Sequence, residues 1–260
     1  LYKFLRIAGG AHQHVQRVHA EPQPHTAPRF GEVGPQGTQI MESIANDYTI
    51  NIATANGTGS QSANLILLQA FFEMGVPVSG KNLFPSNISG LPTWYIMRLS
   101  DHGYQAPGDR THIQVLVNPA TWAEDLAALE PGSVVIWNEN AKMEMNREDV
   151  ISYPVPMSSL ARKINPKIAK LVTNIVYVGV LAQMLGIDQT ALESAVAKQF
   201  KGKDSAIELN ITALGLGRDY FKDNFTKNDP YVVEPREIET PKFFIDGNEA
   251  AALGCIFGGV

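Results

Sequence analysis

Apolar positions along the chain change their spacing several times, and each change marks an element. In YTINIAT (48–54), Ile50 and Ile52 alternate with small or polar residues, the period of two that a strand requires. From Ser60 the spacing turns helical: Leu65, Leu68 and Phe72 share one side, Ile66, Leu67 and Phe71 widen the stripe, and Gly75 supplies a stop. VPVSG (76–80) reads as a second short strand and LPTWYIMRLS (91–100) as a third, with Trp94 and Ile96 alternating against Tyr95 and Met97. HIQVLVN (112–118) and SVVIWN (133–138) are near-continuous apolar runs of the kind buried on both faces, separated by the Pro119-initiated helix PATWAEDLAALEPG. After VISYPVP (150–156) the pattern is helical. Residues 168–185 are apolar on most sides, which predicts a buried helix closed by Gly186. A second helix opens at Asp188 or Thr190, where Thr190 and Glu193 have capping-box spacing, and a third covers about 205–225, with Gly215 and Gly217 weakening its middle.

Strands alternating with helices predict an α/β fold: a Rossmann-like, mainly parallel sheet with flanking helices and a C-terminal helical section. Four segments are expected. Residues 1–46 lack sustained periodicity, hold four of the six histidines and read as a disordered or non-native leader, with Met41 a natural start. Residues 47–226 form the main domain. Residues 227–242, rich in proline and charge, read as a linker. Residues 243–260 open a new strand-turn-helix unit and stop inside its helix.

Composition narrows the function. Charged residues are 18% of the chain, hydrophobic ones 44%, and the net charge is −5 with no Lys/Arg cluster of the kind polyanion binding needs, so nucleic acid is not an expected partner. No apolar run approaches the roughly 20 residues that cross a bilayer. The single cysteine, Cys255, excludes an internal disulfide and any cysteine-ligated cluster within the chain, and fits a reducing cytoplasm. HQHVQRVH (12–19) resembles a metal tract but has no carboxylate partner and Pro-rich flanks.

The most informative stretch is ATANGTGSQSANLILLQ (53–69), a strand end running through glycines into a helix. A dinucleotide fingerprint would need a third glycine where Ser62 stands and an acid after the second strand, where Ser79-Gly80-Lys81 stands. Without a Gly-Lys-Ser/Thr ending it is not a P-loop either. The turn can still hold an anion through exposed amides and the helix dipole, or serve only as a tight connection. A Gly/Pro/Ser/Asn-rich loop, SGKNLFPSNISGLPTWY (79–95), is the other candidate for binding or subunit contact. No catalytic set emerges: His102 and His112 neighbour no nucleophile motif, His112 reads as a strand-edge or core residue, Glu139 and Glu144 belong to a polar span, and Cys255 reads as packing. By chemistry alone the chain is a binding or scaffolding domain without its own active site.

The run NDYTINIATANGTGSQSANLILLQAFFEMGVPVSGKNLFPSNISGLPTWYIMRLSDHGY (46–104) closely resembles the start of the alpha subunit of 2-oxoacid:ferredoxin oxidoreductases of the 2-oxoglutarate type, and GNEAAALGCIFGGV (247–260) resembles the opening of their thiamine pyrophosphate pyrimidine-binding domain. SGKNLFPSNISGLPTWY is the most specific part. The Tyr-Gly-Pro-Glu-x-Arg-Gly-Gly run of pyruvate-type gamma subunits is absent, which favours the 2-oxoglutarate or branched 2-oxoacid subgroup. The resemblance implies that residues 47–226 are a non-catalytic gamma domain. It supports oxidative decarboxylation of a 2-oxoacid with coenzyme A (CoA), giving acyl-CoA, carbon dioxide and electrons for ferredoxin. It further implies a beta subunit that carries the thiamine diphosphate, Mg2+ and 4Fe-4S cluster sites, and a fragment that holds no cofactor firmly and is inactive alone. Gly57, Thr58, Gly59, Ser60, Gln61 and Ser62, with Lys81, would meet a CoA phosphate or a neighbouring subunit. The competing readings are a nucleotide- or CoA-binding regulatory or scaffold module without an oxidoreductase partner, and an NAD-dependent dehydrogenase.

Overall fold

A computed structural model describes residues 42–86, 88–237 and 242–260, so the histidine tract and most of the expected leader lie outside the described residues. In chain order the strands and helices are β1 (Ile44–Ala45), β2 (Asp47–Ala55), α1 (Ser60–Glu73), β3 (Val78–Leu83), β4 (Pro92–Ser100), β5 (Ile113–Leu116), α2 (Trp122–Ala127), β6 (Val134–Asn138), β7 (Ile151–Val155), α3 (Met157–Ile164), α4 (Ala169–Leu185), α5 (Gln189–Gln199), α6 (Asp204–Asn224), β8 (Tyr231–Val232) and α7 (Gly247–Gly258). Among the described residues one six-stranded sheet runs β3-β4-β2-β5-β6-β7. The strands β2, β5, β6 and β7 are mutually parallel, as the alternation of strand and helix predicts. The other two form a hairpin, β4 lying antiparallel to both β2 and β3. Residues 84–91 are too few for the dozen or more that a parallel crossover needs, so the chain turns back on itself there.

Side chains alternate between two cores. Ile50, Ile52, Ile113, Val115, Val134 and Ile136 face one, with α1, α3 and α4 over them; Ala53, Leu116 and Val135 face the other, under Leu126 of α2 and Leu129. The helices after β2 and after β5 thus cover opposite faces of the sheet. The helix α4 is buried except at Lys170, Leu171 and Gln183, and packs against α1, α3 and α6. Its contact with α6 is backbone to backbone: a Cβ on Gly179 would lie 2.2 Å from the Leu214 carbonyl oxygen, and one on Gly217 would lie 2.2 Å from that of Val176. Gly217 therefore does not weaken α6 as its helix propensity alone suggests; it permits the backbones of α4 and α6 to meet. The N-cap of α5 is Asp188, whose side chain accepts from the Ala191 amide at 2.9 Å, while Glu193 accepts from the Gln189 side chain, so the expected Thr190/Glu193 capping box does not form.

Two expected boundaries also shift. Asn46 is fully buried, its side chain exchanging hydrogen bonds with the Glu234 backbone, and β1 pairs in parallel with β8. Residues 227–237 pack on the fold rather than running free as a linker. Asp229, Tyr231 and Val233 are buried, and Tyr153 donates to Asn228 Oδ1 at 2.6 Å. The buried apolar residues of this stretch offset the ordering entropy that its prolines and charges suggested it would not meet.

His112 lies at the start of β5, where its Nδ1 accepts from the Thr49 amide at 3.1 Å and its ring meets Tyr231 edge-on. Burial, followed by the Arg110 and Arg98 charges, pushes its pKa down to about 4. The ring is therefore neutral at pH 7, and between about 6.5 and 4 the unfolded chain binds a proton that the folded chain refuses. Stability should fall across that window as pH drops, by about 1 kcal/mol at pH 5 after allowance for partial solvent screening. Urea unfolding at pH 7 and 5 should show that loss, and His112→Gln should remove most of it. The α4–α6 contact gives a sharper test in the same assay. Gly217→Ala should cost more than about 3 kcal/mol through overpacking against backbone. Gly215→Ala, where a Cβ meets nothing within 4 Å, should stabilise by about 0.5–1 kcal/mol.

Candidate functional site

Strand order places a switch point beside β2. From β2 the chain leaves through α1 toward β4 and β3, whereas from β5 it leaves through α2 toward β6, on the other side and over the other face. Ligands of open α/β sheets bind outside the carboxyl ends of strands at such a crevice. Here a cleft of about 320 Å³ opens at that place, lined by Ala55 and Thr58 after β2, Asn118 after β5, Asn138 at the end of β6, Ser158 and Arg162 of α3, and Lys170 and Asn174 of α4.

The polar lining is held in place by its own hydrogen bonds. Asn118 donates to the Thr54 carbonyl at 3.2 Å and accepts from the Ala120 amide at 3.0 Å. Asn138 donates to Ser158 Oγ at 3.0 Å, which leaves the Ser158 hydroxyl hydrogen free to donate elsewhere. Asn174, 1% exposed, donates through Nδ2 to the Thr58 carbonyl at 2.6 Å and to Thr58 Oγ1 at 3.1 Å. One turn further along α4, Tyr177 donates to Asn64 Oδ1 of α1 at 2.7 Å, and burial pushes the Tyr177 phenol pKa well above its ordinary value.

These bonds shape the glycine turn. Gly57 and Gly59 both stand at positive φ, +78° and +81°, which a residue with a side chain adopts only under strain. The peptide between Thr58 and Gly59 is trans, so a carbonyl turned to Asn174 leaves the Gly59 amide turned away from it, next to the uncapped amides that open α1. Neither a capping side chain nor an acid occupies the first turn of α1. The turn is bordered on both sides: Leu171 of α4 lies beside Gly59, and Ser89 of the hairpin lies beside Gly57. Asn56 fastens the hairpin tip, its amide donating to the Leu91 carbonyl at 2.8 Å, its carbonyl accepting from Gly90 at 2.9 Å, and its side chain donating to the Ser86 and Ile88 carbonyls.

The structure thus brings together the two stretches that the sequence singles out, the glycine turn and the tip of 79–95. Thr58 and Ser60 are buried, Gly57, Gly59 and Gln61 exposed, and Ser62 half-buried and in reach of Gln199. Lys81 stands apart. It is on edge strand β3 opposite Ile96, which lies opposite Asn51, so it sits about 10 Å across the sheet and about 13 Å down the strand from Ala55. Sequence reasoning did not identify Arg162, Lys170, Asn118, Asn138, Ser158 or Asn174, which reach the cleft from four different segments. Of these, Arg162 and Lys170 lie in the stretch ARKINPKIAK (161–170), whose four cations are the one sequence signal for them.

The geometry speaks against a dinucleotide. In that motif the neighbour of the first strand is parallel and ends in an acid for the ribose. Here β2 has the parallel β5 on one side, and on the side reached through α1 it has the antiparallel β4, which presents Thr93 and Pro92 opposite Thr54 and Ala55. The chain has one cysteine, and among the described residues no three His, Cys, Asp or Glu side chains gather as a metal ion would need. What the cleft offers is two cations and a free hydroxyl, a set suited to an anionic ligand with hydrogen-bonding groups.

Comparison with known proteins agrees with this architecture. Residues 49–220 match the family model described as pyruvate ferredoxin/flavodoxin oxidoreductase. The chain is 22% identical to the alpha subunit of 2-oxoacid:ferredoxin oxidoreductase 2 from Aeropyrum pernix over 82% of this chain and 40% of that one, and so spans about 40% of the length of that curated relative. In structure it resembles the 2-oxoglutarate:ferredoxin oxidoreductase of Magnetococcus marinus, solved with 2-oxoglutarate, coenzyme A and succinyl-CoA bound. That match has a TM-score of 0.75 and 25% identity over 84% of this chain and 38% of that one. It also resembles the keto/oxoacid ferredoxin oxidoreductase gamma subunit of Geobacter sulfurreducens, with a TM-score of 0.55 and 19% identity over 66% of this chain and 96% of that one.

The clamp on the turn is testable. Asn174→Ala should leave the Thr58 carbonyl without its buried partner, cost about 1–3 kcal/mol, and speed amide hydrogen exchange at residues 59–62 more than at α6.

Proposed function

Because the chain belongs to the pyruvate ferredoxin/flavodoxin oxidoreductase family, we propose that it is the non-catalytic gamma-domain part of a 2-oxoacid:ferredoxin oxidoreductase alpha subunit, and that its cleft holds the phosphate-bearing part of coenzyme A. The observation that carries the proposal is the cleft at the β2/β5 switch point, with Arg162 and Lys170 at its mouth. CoA carries a diphosphate and a ribose phosphate on a long flexible arm. A site that retains it needs cations and amides at one end and freedom for the thiol to reach a carbonyl elsewhere. Arg162 and Lys170 supply charge and Ser158 supplies a hydroxyl, while Gly59, Ser60 and Gln61 follow the cleft-lining Thr58 at the opening of α1. Gly57, Thr58 and Ser62 shape the turn, while Lys81 belongs to a subunit contact rather than to the CoA cleft.

In this reading the reaction is the CoA-dependent oxidative decarboxylation of a 2-oxoacid, with 2-oxoglutarate favoured because a structural relative was solved with that acid. Thiamine diphosphate supplies the carbanion chemistry and a 4Fe-4S cluster takes up the electrons for ferredoxin. Both groups, with Mg2+, belong to parts of the enzyme other than residues 42–260. The protein's share is to bind CoA, orient its arm and keep water from the acyl group until the thiol arrives. Residues 47–237 form the gamma domain and 242–260 the beginning of the pyrimidine-binding domain, consistent with an apolar α7 that is exposed along its length. The soluble enzyme would work in the cytoplasm with a beta subunit.

In the complete oxidoreductase, Arg162→Ala with Lys170→Ala should raise the KM for CoA by about tenfold or more, roughly 1.4 kcal/mol, while the KM for the 2-oxoacid stays within twofold. An unchanged KM for CoA would remove the cleft from the CoA path. Saturable binding of NAD but not CoA would overturn the function itself.

A further inference from the structure

The glycine turn opens with the one Asn-Gly pair in the chain, Asn56-Gly57; every other asparagine precedes a residue that carries a side chain. The turn itself requires the glycine. Gly57 stands at φ +78°, and a Cβ there would lie 2.7 Å from Ser89 Oγ. The asparagine answers a different demand. Its side-chain amide donates to the Ser86 and Ile88 carbonyls, at 3.3 Å each, and so fastens the hairpin tip to the turn. Two structural needs thus set a carboxamide beside a backbone nitrogen that no side chain shields. Gly57 is exposed, and among the described residues its amide donates to no other group. That nitrogen is open to water and base, and its electrophile sits on the adjacent residue, with no translational freedom left to lose.

We infer that Asn56 is a site of spontaneous, one-way modification, in which attack by Gly57 turns the carboxamide into a carboxylate and releases the hairpin tip from the glycine turn. This inference stands apart from the function proposed above. In the first step the Gly57 nitrogen gives up its proton and bonds to Asn56 Cγ, the Cγ–Nδ2 bond breaks, and ammonia leaves with that proton. Water then opens the cyclic imide. Opening at the side-chain carbonyl leaves an aspartyl residue; opening at the main-chain carbonyl leaves an isoaspartyl residue, whose backbone runs through Cβ and Cγ and is one methylene longer. No electrons change hands, water is the co-reactant, and dilution of the ammonia makes the change irreversible. The structural result follows from the donor inventory. A carboxamide has two N–H donors for the two carbonyls of the tip, whereas a carboxylate has none and would set its charge against them. The attachment becomes a repulsion, and in the isoaspartyl form the backbone is also too long for the present turn. Ala55 and Thr58 line the cleft on either side of the pair, so the change is made at the rim of the site.

Peptide mapping of the full-length protein, kept folded in mildly alkaline buffer, tests this. Residue 56 should gain the mass of an amide-to-acid change sooner than any other asparagine, with aspartyl and isoaspartyl products resolved by chromatography. The rate should rise with hydroxide, because the attacking nitrogen must be deprotonated, and should not respond to urea below the unfolding transition. Asn56→Gln, whose longer side chain has to close a larger ring, should lose the signal. In hydrogen exchange the amides of residues 56 and 90, which pair with the Leu91 and Asn56 carbonyls, report the attachment. They should exchange about tenfold faster both in aged wild-type protein and in Asn56→Asp, as the loss of a hydrogen bond implies, while the amides of α6 stay unchanged. A residue 56 that remains asparagine in the folded protein, whatever the urea-unfolded chain does, would overturn the inference. So would a rate that climbs with sub-denaturing urea, since attack would then need unfolding. Conversion that leaves exchange at residues 56 and 90 unaltered would overturn the release of the tip.

Discussion

The fold depends on two glycines that let helices touch through their backbones. Gly179 and Gly217 bring α4 and α6 so close that a methyl group at either would enter a carbonyl oxygen of the other helix. That approach seals α4 inside the helical layer, and α4 in turn carries the site. Its first turns present Lys170, Leu171 and Asn174. Because interiors are packed to crystal-like density, a displaced α4 would find no compensating slack, and the Asn174 bond to the Thr58 carbonyl would break with it. The glycine turn takes its shape from Gly57 and Gly59, and its hold on α4 depends in addition on a helix contact on the far side of that helix.

The strand–glycine turn–helix opening has the form of a nucleotide site without its usual neighbours. What changes its chemistry is the hairpin. An antiparallel β4 next to β2 removes the position from which an acid would reach a ribose, and the hairpin tip occupies the space before Gly57. The cleft takes its charge from Arg162 and Lys170 on the α3–α4 side. A connection of a few residues, by reversing one strand, gives a familiar backbone opening a different set of neighbours.

Much of this architecture was legible because hydrophobic period reports burial directly. The parallel runs at 112–118 and 133–138, the buried α4 and the glycine turn all follow from spacing and composition. The hairpin was less so: 91–100 read correctly as a strand, whereas β3 runs from Val78 to Leu83, through residues read as loop, and period alone does not say which way a strand runs. Gly217 read as a defect because helix propensity scores a residue without its partner, whereas its value lies in the absent Cβ. The site was the least legible part. Arg162, Asn118, Asn138 and Asn174 are scattered over some sixty positions and meet only through strand order, while Lys81, close in sequence to the hairpin tip, is carried away along an edge strand. Residues 227–237 looked like a linker because prolines and charges dominate them, and the three side chains that bury there, Asp229, Tyr231 and Val233, alternate over only five positions and begin with an acid, too short a run to stand out as a strand.

The short ribbon of β1 and β8 has a bearing on how such proteins are built. Ile44 and Tyr231 sit side by side, about 4.8 Å apart, so the first and last strands of the domain are neighbours, and the chain leaves a few residues later, past the Arg236–Asp101 pair. Everything between is closed by its own contacts. A domain with that arrangement can be spliced into a longer reading frame, or cut out of one, without stretching any internal connection. Gene fusion and fission then cost the fold little, and the number of polypeptides that make up the enzyme becomes free to vary while the domain itself stays the same.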